Sequence, residues 1–382
     1  MAINVAIVHD YLRDYGEEER VLEALHRLYP QAPIYTAFVD YQRLGTEADR
    51  FRGWDLRTTL AQRFPAIDRY YQRYQSLLPV CWEALDLSPY DLVISSSGNY
   101  LSKSVLTRPE TLHVSYCHTP PRHLWEAPPP RAKFWFSRWW QVQGDLKLRQ
   151  YDFYAAQRVD RYVTNSHAVA RRIHKFYRRA ADVIPPPVRV RAEGRAGKQY
   201  YLYVGPLTRR HRVEWAIQAC QALDRPLWIV GEGPEAERLR SLAAGSQIRF
   251  LGKQSAEEMV EIYSGARAIL FPCPDIDFAT APVEAMGQGI PVIASAQSGL
   301  TEVILEHRTG LFFQEPNPIR LQDTIAQFES LRFSSIACIE RAREFDAPLF
   351  TSRLEWFIAQ ALDDHRLQGV TPKREEEEDT KR

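Results

Sequence analysis

Three groups of residues in this chain could do chemistry on a polar ligand, and each stands where a strand-like run gives out. The carboxylate Glu284 lies in Asp277-Phe-Ala-Thr-Ala-Pro-Val-Glu-Ala-Met-Gly-Gln-Gly289, between the apolar runs Ala268–Phe271 and Pro291–Ala294. Those runs have the length of buried strands, and Val283–Gln288 reads as a helix entered at Pro282 and closed by Gly289. The spacing puts Glu284 in the first helical turn, where its carboxylate would accept hydrogen bonds from sugar or ribose hydroxyls. The imidazole of His118 follows the run Leu112–Tyr116, in Cys117-His-Thr-Pro-Pro-Arg122. A lone histidine is usually structural, but one at a strand end, followed by Thr-Pro and an arginine, is placed to meet a ligand. Arg122 is a weaker candidate for ligand contact, as a cation suited to phosphate. Cations gather in Gly205-Pro-Leu-Thr-Arg-Arg-His-Arg212, where Arg209, Arg210 and Arg212 suit phosphate or are ordinary solvated charge.

These groups need strands and helices that deliver them to one edge. In the first half, Asn4–Val8, Ala32–Val39, Tyr90–Ser97, Leu112–Tyr116 and Asp160–Ser166 read as strands. Glu18–Leu28 carries a helical stripe of Val21, Leu22, Leu25 and Leu28, and His167–Tyr177 reads as a second helix. In the second half Tyr200–Val204, Leu227–Val230 and Ile248–Gly252 read as strands. The helices there are Val213–Leu223, Glu235–Leu242, Ala256–Tyr263, Leu321–Leu331, Ser334–Phe345 and Phe350–Leu362. Strands alternating with helices predict an α/β fold of doubly wound parallel sheets, whose ligands bind beyond the strand C-termini. The expected division is residues 1–186, a linker at 187–198, a second domain at 199–345, a C-terminal helix at 346–366 and a charged, disordered tail at 367–382.

At 382 residues the chain has room for two such domains. A hydrophobic share of 45% and a charged share of 25% describe a globular protein, and a net charge of +1 argues against a nucleic-acid partner. Five cysteines without metal-ligand spacing read as buried thiols, and neither a metal nor a cofactor is expected. Met1-Ala-Ile-Asn-Val lacks the basic region of a signal peptide, so the cytoplasm is the expected compartment. Two basic and aromatic stretches, Arg63–Tyr74 and Arg131–Arg149, suit peripheral contact with an anionic membrane. They equally suit helices that pack their aromatics inward.

The block from Gly265 to Phe313 resembles the nucleotide-binding half of family 4 retaining glycosyltransferases of the GT-B type. Tyr116-Cys-His-Thr-Pro-Pro-Arg122 resembles a segment of its mannosyltransferase-like members. The resemblance implies two Rossmann-like domains facing across a cleft. It also implies transfer of a hexose, mannose being one choice, from a nucleotide-diphosphate sugar to a glycan or lipid-linked acceptor, with retention. It gives Glu284 the ribose, the turn Gly231-Glu-Gly233 the nucleotide pocket, His118 the sugar, and Arg209, Arg210 and Arg212 the diphosphate. Four features depart from the family pattern. Glu17-Glu18 replace a glycine pair, leaving Gly16 as the one glycine of a loop that would approach the phosphates. Pro206 and His211 replace an arginine and lysine clamp. Ile276 stands where the pattern has its first glutamate, with Asp275 and Asp277 one residue out of register. A catalytically degenerate relative serving as a binding or assembly subunit is therefore the second reading. Nucleotide-sugar epimerases of the same architecture match the motifs less well.

Overall fold

The computed structural model describes residues 3–126, 135–191 and 199–370. The chain divides into two compact units. The first gathers the residues up to Thr164, Val169–Ile184 and those from Thr351 onward; the second holds Asn165–Ala168 and Pro185–Phe350. Part of the expected linker (192–198), the tail from 371, and the start of the basic-aromatic stretch (131–134) lie outside the described residues.

The first unit is built on seven strands: β1 (Val5–His9), β2 (Ile34–Thr36), β3 (Leu56–Thr58), β4 (Leu92–Ser97), β5 (Leu112–Cys117), β6 (Arg161–Thr164) and β7 (Asp182–Val183). They are parallel, in the order β3-β2-β1-β4-β5-β6-β7. The second unit has β8 (Tyr200–Val204), β9 (Leu227–Val230), β10 (Ile248–Gly252), β11 (Ala266–Phe271), β12 (Val292–Ser295) and β13 (Gly310–Phe313). These are also parallel, in the order β10-β9-β8-β11-β12-β13.

Parallel strands covered on both faces favour apolar residues on both, which is why β1, β8, β9, β11 and β12 appear in the sequence as nearly unbroken apolar runs, whereas β4 and β5 bury serines and a histidine as well. On β11, Ile269 and Phe271 join one buried cluster with Leu202, Val283 and Met286. The alternate residues Ala268 and Leu270 join another with Tyr203, Ile217 and Ile325. Each sheet reverses its winding once, between β1 and β4 and between β8 and β11. At such a point the loops leaving two neighbouring strands diverge and open a crevice. Gly16, the arginine loop and Glu284 follow strands at these reversals, whereas His118 and Arg122 follow β5 and Gly231 and Gly233 follow β9.

Candidate functional site

In the second unit the relevant loops are those after β8 and after β11. The first carries Pro206 to Arg212 and the second Pro272 to Ala279. They are tied together: the Arg210 guanidinium donates to the Asp275 carbonyl at 2.7 and 3.2 Å, and the Cys273 thiol donates to the Arg210 carbonyl at 3.4 Å. Arg209 faces Glu235 at 3.2 Å, and Arg212 approaches Glu214 at 3.7 Å. Glu235 also receives Arg238, and these guanidinium bonds hold its carboxyl below the usual range. The three loop arginines are therefore already engaged within the unit. His211 accepts from or donates to the Thr208 hydroxyl at 2.8 Å; burial, then Arg210, lowers its pKa to about 4, so it is neutral at pH 7.

The helix bearing Glu284 begins at Thr280 rather than Val283, so Glu284 occupies its second turn and not the first. Pro282 is accommodated because the amides of a helix's first turn have no intrahelical acceptor to lose. The Glu284 carboxylate is half-buried and accepts from the Tyr263 hydroxyl at 3.2 Å. Gly231 and Gly233 have a packing reason to be glycine. A Cβ on Gly231 would lie 1.9 Å from the Gly205 carbonyl oxygen, and one on Gly233 2.3 Å from that of Leu207. Their first service is to let the turn after β9 lie against the loop after β8. Ile276 is half-buried on the apolar core, and its carbonyl accepts from the Gly299 amide at 2.7 Å. A Cβ on Gly299 would lie 2.0 Å from the Asp277 carbonyl oxygen. The backbone at 276–277 is pinned there, so neither Asp275 nor Asp277 can slip one residue into the register of a glutamate at 276.

In the first unit the loops after β1 and β4 are joined more tightly. The Asp10 carboxylate accepts from the amides of Gly98 at 3.0 Å, Tyr100 at 2.6 Å and Ser102 at 2.9 Å. Three convergent amides form an anion nest, and a residue of the chain itself fills it. Beside it Glu18 is half-buried, its carboxylate 3.0 Å from where a Gly98 Cβ would stand. Burial, then the neighbouring Asp10, pushes the Glu18 carboxyl well above the usual range. Gly16 precedes the helix Glu17–Leu28, and its amide donates to the Glu19 carboxylate at 2.7 Å.

The pairing register carries His118 to this edge. His9 pairs with Ser96 across β1 and β4, and Ser96 with Tyr116 across β4 and β5. His118 is two residues beyond Tyr116, so it points to the same face as Ser96 and His9. Its Nε2 lies 2.8 Å from the Ser96 hydroxyl, which lies 3.1 Å from His9 Nδ1. Burial, then His9, lowers the His118 pKa to about 3, so the ring is neutral. Arg122 donates to Glu126 at 2.7 Å, and Glu126 also receives Arg172 at 2.6 Å; this candidate is built into an ion-pair cluster.

Sequence reasoning did not single out Asp10, Ser96 or Glu19. A signal existed in Ser95-Ser-Ser97, three hydroxyls inside a wholly buried strand, because buried polar groups require partners. Behind this edge the fully buried Lys103 meets the fully buried Asp152 at 2.5 Å. Asp152 also accepts from Trp125 Nε1 at 2.7 Å and the Tyr177 hydroxyl at 2.9 Å. All five cysteines are buried free thiols. Among the described residues no three His, Cys, Asp or Glu side chains are grouped to hold a metal ion, and no helix is long and apolar enough to cross a membrane.

The comparison that bears on the second unit's edge is at the level of family. Residues 189–345 match the family model of Glycosyl transferases group 1. The match contains Glu284, the turn after β9 and the arginine loop. Among curated relatives, the D-inositol 3-phosphate glycosyltransferase of Corynebacterium diphtheriae is 28% identical over 31% of this chain and 29% of its own. The putative colanic acid biosynthesis glycosyltransferase WcaL of Escherichia coli is 30% identical over 37% of this chain and 39% of its own. The chain spans from under a third to about half the length of the first curated relatives it matches. Sucrose-phosphate synthase of Thermosynechococcus elongatus superposes with a TM-score of 0.72 at 16% identity, over 95% of this chain and all of that one. Anabaena HepE in complex with UDP gives 0.67 at 13% identity, over 94% of this chain and all of that one. The fold is GT-B.

Proposed function

We propose that the protein is a glycosyltransferase that moves a hexose from a nucleotide-diphosphate sugar to a glycan or lipid-linked acceptor with retention of configuration. Mannose is the first sugar to test. The observation that carries this reading is the Glu284 carboxylate. It is half-buried, oriented by Tyr263, and set on the helix that leaves the winding reversal of the second sheet, inside the segment that matches group 1 glycosyl transferases. In this reading Glu284 takes the ribose hydroxyls, Gly231 and Gly233 shape the nucleotide pocket, Arg210 serves the diphosphate, and His118 is the first unit's contribution to sugar transfer. A bound UDP in HepE, named above, favours a nucleotide-sugar donor. Peripheral contact with an anionic membrane is also part of the proposal. Trp139, Val142 and Leu146 are exposed at helical spacing on Trp135–Gln157, next to the exposed Lys147.

The test is calorimetric titration of the full chain with UDP, GDP and their hexose derivatives, followed by transfer assays. Micromolar donor binding that is lost in Glu284→Ala supports the reading; binding that is indifferent to Glu284→Ala refutes the role given to that residue. The second reading, a binding or assembly subunit without turnover, is favoured by the neutral His211 and by the apolar Ile276 packed on the core. Sugar release or transfer by the unmodified chain would eliminate it.

A further inference from the structure

A parallel sheet has two ends, and the donor candidates of the second unit use only the one where its strands finish. At the other end, where β8, β9 and β10 begin, lies a cavity of about 470 Å³ whose wall includes Tyr200, Trp228, Ser246, Gln247 and Arg249. A second cavity of about 230 Å³ shares Ser246 and Gln247 with it and continues the polar wall to Asp224.

Pairing register builds the aromatic side of this wall. Trp228 pairs with Leu202 on β8 and with Arg249 on β10, and Tyr200, two residues before Leu202, points to the same face. The Tyr200 and Trp228 rings stack with centroids 3.8 Å apart and planes 7° apart. Tyr200 is itself anchored. Its hydroxyl donates to the Ile262 carbonyl at 2.7 Å, and a Cβ on Gly265 would lie 2.5 Å from that hydroxyl oxygen. Trp228 is half-buried, and from the β10 side it meets only the guanidinium of exposed Arg249, 5.7 Å from the ring centroid. That is near the outer limit of a cation–π contact, so this side of the indole is loosely covered.

An aromatic ring packed from one side and loosely covered from the other suits the C–H face of a pyranose, whose polarised hydrogens meet the negative face of the ring. Around it stand the groups that sugar hydroxyls require: the amide of Gln247, the Ser246 hydroxyl, the Arg249 guanidinium and the Asp224 carboxylate. Gln247 is already aligned, its Nε2 donating to Asp224 at 2.9 Å. Arg225, on the wall of the smaller cavity, is neutralised by paired bonds to Glu329 at 2.8 and 2.9 Å. The remaining charges, Arg249 and Asp224, are of opposite sign. A balanced wall favours a neutral polyol, whereas a phosphate calls for an excess of cations.

We propose that the two cavities form a saccharide-binding site, separate from the donor edge, that holds a stretch of neutral glycan chain. Leu227 and Gly231 are four residues apart along β9, so the site lies about 13 Å from the nucleotide turn at ~3.3 Å per residue. Naming the glycan as the acceptor rests on the glycosyltransferase reading; binding of a saccharide does not. On that reading the site keeps a growing chain on the protein between transfers.

The test labels the full chain with 5-fluorotryptophan and assigns the Trp228 fluorine resonance from Trp228→Phe. Without any donor, the protein is titrated with maltohexaose, cellohexaose and a linear mannohexaose, then with free glucose, free mannose and UMP. The expected result is a saturable shift of the Trp228 line with at least one hexaose, at a dissociation constant of about 1 mM or below, and weaker binding of the single sugars. Arg249→Ala should weaken it about tenfold and Gln247→Ala about threefold; both side chains are exposed, so their removal spares the core. Glu284→Ala should leave it unchanged. No saturable shift with any hexaose at about 20 mM overturns the proposal, as does UMP shifting the line more tightly than every sugar. Affinity indifferent to both surface variants, or lost in Glu284→Ala, also overturns it. Should Trp228→Phe fail to fold, the same affinities read by calorimetry in Arg249→Ala and Gln247→Ala decide the matter. The donor reading is judged by nucleotide binding at Glu284, so either can fail alone.

Discussion

If the loop after β8 serves a diphosphate as proposed, adding cations to it should tighten donor binding, and the contacts of that loop say by how much. The loop after β8 holds three arginines, but Arg209 faces Glu235 at 3.2 Å and Arg212 approaches Glu214 at 3.7 Å. Arg210 is held by a neutral carbonyl, that of Asp275, so its charge is not offset by that contact. His211 adds none, because a pKa of about 4 leaves fewer than about one ring in a thousand protonated at pH 7.5. Pro206→Arg with His211→Lys therefore introduces two full cations. A unit charge ~4 Å from a phosphate is worth about 4 kcal/mol at an effective dielectric near 20. Exposure and side-chain entropy reduce each to about 1 kcal/mol. Two such cations give roughly 2 kcal/mol, or about thirtyfold in dissociation constant. Calorimetric titration with UDP and GDP should show that gain, shrinking as salt is raised because exposed charges are screened. Arg210→Gln should weaken whatever affinity the wild type has. A folded double variant within about threefold of wild type would refute the charge argument. Micromolar donor binding by the wild type with turnover would show instead that the arginines at 209–212 already serve as the clamp.

Three further expectations concern the frame that holds these groups. Lys103→Met should destabilise the first unit by about 3–5 kcal/mol, since it leaves the Asp152 charge buried with neutral donors alone; calorimetry should show a melting shift on the order of 10 °C. Gly231→Ala drives a methyl to 1.9 Å from the Gly205 oxygen at a φ of +137° and should cost roughly 2–6 kcal/mol, whereas Gly16→Ala, whose Cβ meets nothing nearer than 3.5 Å at a φ of −148°, should cost about 1 kcal/mol or less by urea unfolding. His113 and His118 have pKa values lowered by burial to about 3, well below the unfolded value near 6.5. Their contribution is complete above that value and is lost as pH falls towards 3, while Glu18, shifted upward, contributes in the opposite sense. Urea unfolding from pH 7.5 to 4.5 should show stability falling with pH, and His113→Gln should remove up to about 1.4 kcal/mol per pH unit of that slope.

How much of this was readable beforehand depends on how local the cause is. The apolar runs at Asn4–Val8 and Ala268–Phe271 declare themselves because a strand covered on both faces has little polar alternation to blur it. The edge strands Leu56–Thr58 and Asp182–Val183 carry no such signature, being short and partly exposed, and exist through pairing with a neighbour. At the site, Glu284 and His118 were legible as chemistry at strand and helix ends. The Glu284 helix starts at Thr280, two residues before Pro282, because proline fits anywhere in the first turn and does not mark the entry. Glu17-Glu18 read as two repelling charges, yet Glu18 folds against Gly98, a contact across eighty residues of sequence that no local pattern announces. The partners of Asp10 and Ser96 were hidden for the same reason.

Asp10 also constrains the order in which the first unit can form. Its carboxylate meets amides 88, 90 and 92 residues further along the chain. Closing so long a loop carries an entropy cost that no local contact within residues 98–102 offsets, and non-local contacts of this kind are acquired late in folding. The turn after β4 therefore cannot take its final shape until β1 and β4 have paired and brought residue 10 into place. In pulse-labelling hydrogen exchange, the amides of Gly98, Tyr100 and Ser102 should gain protection together and no earlier than those of the two strands, so the histidine-bearing edge is completed as one of the last acts of a sheet that must already be there.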